Sequence, residues 1–471
     1  MYSFFAFVTA RRGFFFRFFS ESRTRCGLVA LLFAFCAPSL RAETHTSRPE
    51  YDSTRVMAAA AADTAGYARF RLGGYGEMLA AFKNYGPNRF TGTAAGSTRT
   101  RRNTIEIPRF VLAFGYKFSE KWVLGAEIEF EAGGVGTAVE LENSENGEYE
   151  TEVEKGGEVV VEQFHVTRLI VPQFNVRAGH MVVPVGLTNA HHESVCYFGT
   201  RRPEAETGLL PSTWHDTGLA LFGTFGRRRA RFDYQAMVVA GLNANGFDRN
   251  EWIKGGKAGY FEADNFTSPG YAGRLDYTGL GGLRTGVSVY YCHDAGRNAD
   301  KEQTYSAAGR VPVAVGTWDA QYAGRFVTAR ANVVWGYVGN AAAVSRANRL
   351  LSNKSPHSRL IPVAKNALSW GIEAGVDLGA LFPRCPRLVP FVRCEYCNPQ
   401  HRGERTQTME RRLEVSQWLA GLDWYALPNL VVKADYAARR IGTSKVFGPG
   451  RYNNENEFSI SVAYVGWFVR K

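Results

Sequence analysis

The feature that most constrains this chain is a two-residue alternation sustained over segments of about ten residues. Near the carboxy terminus, Phe458, Ile460, Val462, Tyr464, Gly466 and Phe468 share one face, and Ser459, Ser461 and Ala463 share the other. The same pattern sets Leu430, Val432, Ala434 and Tyr436 against Lys433, Asp435 and Arg439, and Trp122, Leu124, Ile128 and Phe130 against Lys121, Glu127 and Glu129. Successive side chains of a strand point to opposite faces, so each segment reads as a strand with one greasy and one wet side. Strands of soluble domains run about five or six residues, whereas a tilted strand needs about 9–11 to cross a bilayer. The pattern predicts an all-β fold, a transmembrane antiparallel β-barrel of about sixteen strands.

Connection lengths support closure. Strands are expected near 69–83, 104–117, 121–132, 158–171, 174–186, 216–226, 230–242, 268–278, 284–294, 312–322, 325–338, 365–378, 388–397, 414–425, 429–440 and 455–468. The even-numbered links are tight, as at Ser119-Glu120, Pro172-Gln173 and Ala323-Gly324, while odd-numbered links such as 84–103, 133–157, 187–215 and 339–364 are long and polar. Short periplasmic turns alternating with long external loops are the signature of an outer-membrane barrel. Lipid offers backbone N–H and C=O groups no partner, so a sheet within it has to close. Trp122, Tyr116, Trp335, Tyr337, Trp424, Tyr425, Trp467 and Phe468 lie near strand ends and are expected to form the interfacial aromatic girdle.

Composition removes the competing classes. Nine Trp, 22 Tyr and 32 Phe in 471 residues are too much apolar ring for a disordered chain. Mean hydropathy is −0.23, and past the first forty-odd residues no run of about 18 apolar residues occurs, against a helical membrane protein. Arg23 and Arg25 precede an apolar stretch from Cys26 to Pro38, followed by Ser39-Leu40-Arg41-Ala42. Residues 1–42 therefore read as a signal peptide cleaved after Ala42, 43–68 as a flexible periplasmic lead-in, and 69–468 as the barrel. Removing the signal takes six Arg and one Glu and lowers the formal charge from +12 to +7, with no basic helix of the kind nucleic acid needs. Five cysteines remain, Cys196, Cys292, Cys385, Cys394 and Cys397, an odd number that leaves at least one thiol free. Cys394 and Cys397 point to opposite strand faces, which disfavours a bridge between them.

Two stretches carry a resemblance. The terminal strand ending at Phe468 is similar to the insertion signal that outer-membrane proteins present to the barrel-assembly machinery, although Val469, Arg470 and Lys471 follow it. Arg177-Ala178-Gly179 through Pro184-Val185-Gly186 resembles the strand end of the phosphate-selective porin O and P family. The segments Tyr197 to Pro203 and Leu210 to Gly218 follow as in that family. The resemblance covers about residues 69–468 and implies a sixteen-stranded channel for small anions, embedded in lipid and lipopolysaccharide as a homotrimer. The lysine-rich loop associated with phosphate selection is absent from this chain.

The third long link, 187–215, is where porins of this kind fold a loop into the lumen. It carries the constriction candidates His191, His192, Arg201, Arg202, Glu204 and Glu206. Arginines there would hold a pH-independent charge in a narrow aqueous passage; alternatively Arg201 and Arg202 pair with Glu204 and Glu206 and pin the loop. Parity turns Arg71, Arg109, Arg177, Arg274, Arg330, Lys433 and Arg439 inward as pore-lining residues. Glu77, Glu127, Glu129, Asp276, Glu373, Asp377 and Asp435 share that side, as expected of a wet lumen with cross-strand ion pairs. His180 is an exception, an outward histidine.

His191-His192-Glu193 with Cys196 and His215 lacks metal-ligand spacing, so no metal and no cofactor is expected. The seven glutamates between Glu140 and Glu154 read as a solvated external loop. No nucleophile–base–orienter set is recognisable, so no catalytic residue is assigned. The expected function is passive diffusion of small hydrophilic solutes across the outer membrane, with a preference for anions such as phosphate. The rival is a plugged structural or adhesive barrel that binds surface partners through its loops.

Overall fold

A computed structural model describes residues 69–85, 103–143, 149–189, 191–257, 264–299, 302–350, 362–405, 407–442 and 454–470. The signal and lead-in assigned to 1–68 lie outside the described residues, as do the side chains of 132–158 and hence the seven glutamates.

Sixteen strands form one closed antiparallel barrel. They are β1 (Phe70–Tyr85), β2 (Asn103–Ser119), β3 (Trp122–Asn143), β4 (Tyr149–Val171), β5 (Phe174–Val182) and β6 (His215–Arg227). The wall continues through β7 (Ala230–Val239), β8 (Gly270–Leu280), β9 (Leu283–Cys292), β10 (Val313–Ala323) and β11 (Val327–Val338). It ends with β12 (Asn366–Val376), β13 (Leu388–Arg402), β14 (Val415–Leu427), β15 (Leu430–Ile441) and β16 (Asn454–Arg470). Each strand pairs with its sequence neighbours, and the first and last close the seam, with Met78 opposite Val462 and Ala80 opposite Ile460. Closure satisfies the ladder of every strand, which is what a sheet in hydrocarbon requires.

The outward parity is apolar and exposed: Phe110, Trp122, Leu219, Val287, Val289, Trp318, Trp335, Trp418, Trp424, Phe458 and Ile460 are all among the exposed large hydrophobics. In water such a continuous belt would be untenable; against lipid tails it is the stable surface. Tyr425 departs from the expected girdle. It faces inward, under the Arg387 guanidinium at 3.9 Å from the ring centre, because its neighbour Trp424 takes the outward position.

Two expectations need correction. The link 133–157 is largely strand: β3 continues to Asn143 and β4 begins at Tyr149, with Glu140 opposite Glu152 and Glu142 opposite Glu150. The segment does alternate, Val139 and Leu141 with Glu140 and Glu142, and Tyr149, Thr151 and Val153 with Glu150, Glu152 and Glu154, so the pairing is present in the sequence, overlaid by a run of glutamates that suggests a loop. The long links are also less polar than expected. Those after β5, β7, β9 and β11 turn into the barrel mouth and bury Leu209, Leu210, Trp214, Phe247, Trp252, Ile253 and Tyr305 against inward wall residues such as Tyr290, Val313 and Val334. Trp252 Nε1 donates to Ala364 O at 3.1 Å, and Tyr305 Oη to Asn348 Oδ1 at 2.6 Å, whereas the buried Trp214 Nε1 has no hydrogen-bond partner among the described residues.

Candidate functional site

The site is built on the inner loop, residues 183–214 between β5 and β6. Its neck is fastened by Asn189. Asn189 Nδ2 donates to Val183 O at 2.7 Å, and Trp214 N donates to Asn189 Oδ1 at 2.6 Å, tying the incoming and outgoing arms. Inside the neck, Glu206 of the short helix α1 (Glu204–Thr207) accepts from Leu187 N at 2.8 Å and from Asn189 N at 2.6 Å. Burial pushes the Glu206 carboxyl above its ordinary range, and the N–H groups of Thr188, Asn189 and Leu187 partly restore it. Gly186 is needed beside it: its φ is +91°, and a Cβ there would stand 2.3 Å from the Glu206 carboxylate.

Beyond the neck the loop is held by inward charges of the wall. Lys433 Nζ donates to Tyr197 O and Gly199 O, each at 2.8 Å, and to Ser194 O. Arg393 donates to Phe198 O and to Arg201 O at 3.1 Å, and Asp435 Oδ2 accepts from Thr200 N at 2.6 Å. Arg109 reaches His192 O at 2.7 Å while bound to Glu77 at 3.0 Å. Arg274 donates to Gly186 O at 2.9 Å and bridges Asp276 and Asp319, both at 2.8 Å. Backbone carbonyls in a loop have no intrinsic partners, and here the barrel wall supplies them.

The expected constriction residues divide accordingly. Arg201, with a side chain 45% exposed, pairs with Glu457 at 2.7 Å and Glu106 at 3.5 Å. Its acid partners are thus on the wall, not Glu204 and Glu206. Arg202 is turned onto Ser212, donating to its carbonyl at 3.0 Å and its hydroxyl at 3.1 Å. Glu204 receives both forks of Arg439, at 2.8 and 2.6 Å, and Arg439 also pairs with Glu455. Glu206, 1% exposed, is a staple of the loop. His191 Nδ1 bonds Leu187 O at 2.9 Å and its Nε2 meets Arg284.

Of the expected lining residues, Arg71 lies over the Trp467 ring at 5.9 Å. Arg177 donates to Thr167 Oγ1 at 3.1 Å, and Arg330 pairs with Glu373 across β11 and β12. The cross-strand ion pairs are present as expected, and most of them are buried. Arg393 and Glu395 were missed, although the alternation Val389, Phe391, Arg393, Glu395 places them on the inward face. A cleft remains between loop and wall, lined by Thr188, His191, Tyr197, Arg330, Glu373 and Glu395.

The histidines separate. His192 is fully buried, and although burial opposes its charge, Glu162 and Glu193 hold its pKa above the usual value. His180 keeps its outward parity opposite Phe164 but is 1% exposed, bonded to Thr217 at 2.7 Å and His215 at 2.6 Å. Cys196 Sγ lies 3.5 Å from Glu193 Oε2. All five cysteines are free thiols.

No family model matches the chain. Over 229 residues it is 27% identical to an uncharacterized protein of Aquifex aeolicus (strain VF5), with 48% of each chain covered. The chain thus spans about half the length of that curated relative. Among solved structures it is similar to Salmonella typhi OmpF in complex with daunomycin, with a TM-score of 0.51 and 10% sequence identity over 85% of this chain and 98% of that one. It also aligns with an anion-selective porin from Comamonas acidovorans, with a TM-score of 0.48 and 10% identity over 84% of this chain and 99% of that one. The OmpF likeness is one of fold: a sixteen-stranded porin-type barrel.

Proposed function

We propose that the chain is an outer-membrane porin that lets small hydrophilic solutes diffuse through a passage narrowed by the inner loop. The observation that carries this reading is the loop's attachment: residues 192–205 are hung on inward charges of β2, β13 and β15 within a closed barrel. A loop so fixed sets a permanent aperture without a moving part. Arg201 keeps a half-exposed guanidinium beside Glu457 and Glu106, and we take it as the group that favours anions, inorganic phosphate among them. Export through the 1–42 signal, insertion by the assembly machinery through the strand ending at Phe468, a lipopolysaccharide-facing exterior and a trimeric state complete the reading.

The test is the reversal potential of the purified protein in a planar bilayer under a KCl gradient. Anion preference that falls in Arg201→Ala supports it; selectivity unchanged by the substitution removes Arg201 from the aperture. A second reading has its own observation, the apolar filling of the barrel mouth by four links, which suits a plugged structural or adhesive barrel. Absence of conductance from folded protein would put that reading first.

A further inference from the structure

Glu127 of β3, Glu162 of β4 and His192 of the inner loop each offer one ligand atom, and these atoms lie within 4.8 Å of one another. Their exposures are 5%, 0% and 0%. His192 Nε2 stands 3.9 Å from Glu162 Oε1. Its Nδ1 lies 3.1 Å from Asn189 O. A carbonyl only accepts, so Nδ1 carries the proton, and Nε2 is turned toward the carboxylates. An imidazole oriented by a backbone carbonyl through its far nitrogen is the usual state of a metal-binding histidine. Among the described residues, His192 Nε2 and both Glu162 oxygens have no hydrogen-bond partner. Glu129 joins them on the wall, 4% exposed, with Oε1 likewise unpartnered.

Charge sharpens the case. The Arg109 guanidinium is engaged by Glu77 and by the carbonyl of His192, and Gln163 donates to Glu127 without adding charge. Three carboxylates therefore face one imidazole and the already-bonded Arg109 guanidinium in a site shut off from water, an excess of negative charge. Buried like charges are strongly unfavourable unless a cation joins them.

We propose that Glu127, Glu162 and His192 bind one divalent first-row transition ion, of the class of Zn²⁺ or Mn²⁺, which clamps the inner loop to the barrel wall. Two carboxylates with one imidazole is a borderline-hard donor set that suits such ions better than a thiolate-loving one. Ligand atoms each about 2.0–2.2 Å from an ion stand at most about 4.4 Å apart, so the observed spread closes by a small side-chain adjustment. In sequence His191-His192-Glu193 with Cys196 and His215 shows no metal-ligand spacing; the fold instead brings Glu162 and Glu127 to His192 from strands thirty and sixty-five positions earlier.

The experiment uses the full folded chain in detergent, stripped with chelator and equilibrated with Zn²⁺ or with Mn²⁺, followed by elemental analysis and titration calorimetry. One ion per chain is expected. Glu162→Gln and His192→Gln are expected to weaken binding by more than about tenfold, the least that losing even an outer partner of a metal site costs. Far-ultraviolet circular dichroism shows whether each variant keeps its barrel. Where one does not, Glu127→Gln and the visible absorption of a Co²⁺-loaded native chain decide instead. No retained ion in the native chain, or equal retention in folded His192→Gln, would overturn the proposal, as would a site that takes Ca²⁺ or Mg²⁺ but neither Zn²⁺ nor Mn²⁺. Metal content is read without conductance, so this result stands or falls separately from the channel reading.

Discussion

Lys433→Met isolates the force that holds the inner loop in place. The ammonium group is 1% exposed, donates to three loop carbonyls, and sits 4.5 Å from the centre of the Tyr197 ring. A hydrogen bond from a charged donor contributes about 1.5–3 kcal/mol, but three from one nitrogen are not independent, and methionine retains most of the stem's packing. The range for deleting one partner of a buried charged contact, about 3–5 kcal/mol, is the better guide. At about 1.4 kcal/mol per factor of ten, undocking becomes easier by roughly two to three and a half decades. Thr200 reports it directly, because its N–H donates to Asp435 and is freed only when the loop leaves the wall. Hydrogen–deuterium exchange of the folded barrel in detergent should show the 197–201 amides accelerated by at least about a hundredfold, with β14–β16 amides unchanged. Exchange at Thr200 within about threefold of the native protein would mean that Lys433 does not secure the loop and that the neck at Asn189 does so alone.

Other expectations concern the loop neck and the mouth. Gly186→Ala places a methyl group against the Glu206 carboxylate at a positive φ and should cost about 1–3 kcal/mol, read as a lower thermal unfolding midpoint than in Ala178→Gly, a control on the exposed face. Because burial raises the Glu206 pKa, the folded state binds its proton more readily than the unfolded chain. Stability from this group is therefore greatest at low pH and falls as pH rises from the ordinary carboxylate value through the raised one; Glu206→Gln should flatten that limb of the unfolding-midpoint profile. Gly336→Ala would set a methyl 1.9 Å from the Trp252 ring and should displace the indole, seen as red-shifted tryptophan emission absent from Gly316→Ala, where the added carbon meets open space. Maleimide should modify Cys196 and Cys385 in the native barrel and reach Cys292, Cys394 and Cys397 only after denaturation.

The wall was legible because lipid makes its demands residue by residue. Each strand must show an apolar face of fixed period, and Phe458 to Phe468 or Trp122 to Phe130 does so within its own segment. The extension of β3 and β4 beyond residue 132 shows that the same signal can be overlooked: Val139, Leu141 and Val153 alternate with glutamates there, but the density of acid points to a loop rather than to a strand. The inward basic residues were identified by parity, yet their partners were not, since Lys433 and Gly199 are separated by 234 positions and meet only through the closed sheet. The Glu162 position was hidden by a register shift of β4 against β3 between Glu127 and Ile128, which alternation alone does not expose. Apolar residues such as Trp252 and Tyr305 lie in links without any period, so nothing in their own segments announces a shared core.

The separation of the loop from its anchors also has a consequence for time. Arg201 is held by Glu457, 256 positions later, and Thr200 by Asp435, 235 positions later. Whatever the order in which strands enter the sheet, β5 and β6 alone give the intervening loop none of these partners, which come from β15 and β16. Until the last hairpin enters, residues 194–201 have no carbonyl or amide partners on that side. The loop therefore takes its final place only once β15 and β16 stand beside it, which makes this part of the site dependent on the last strands of the chain.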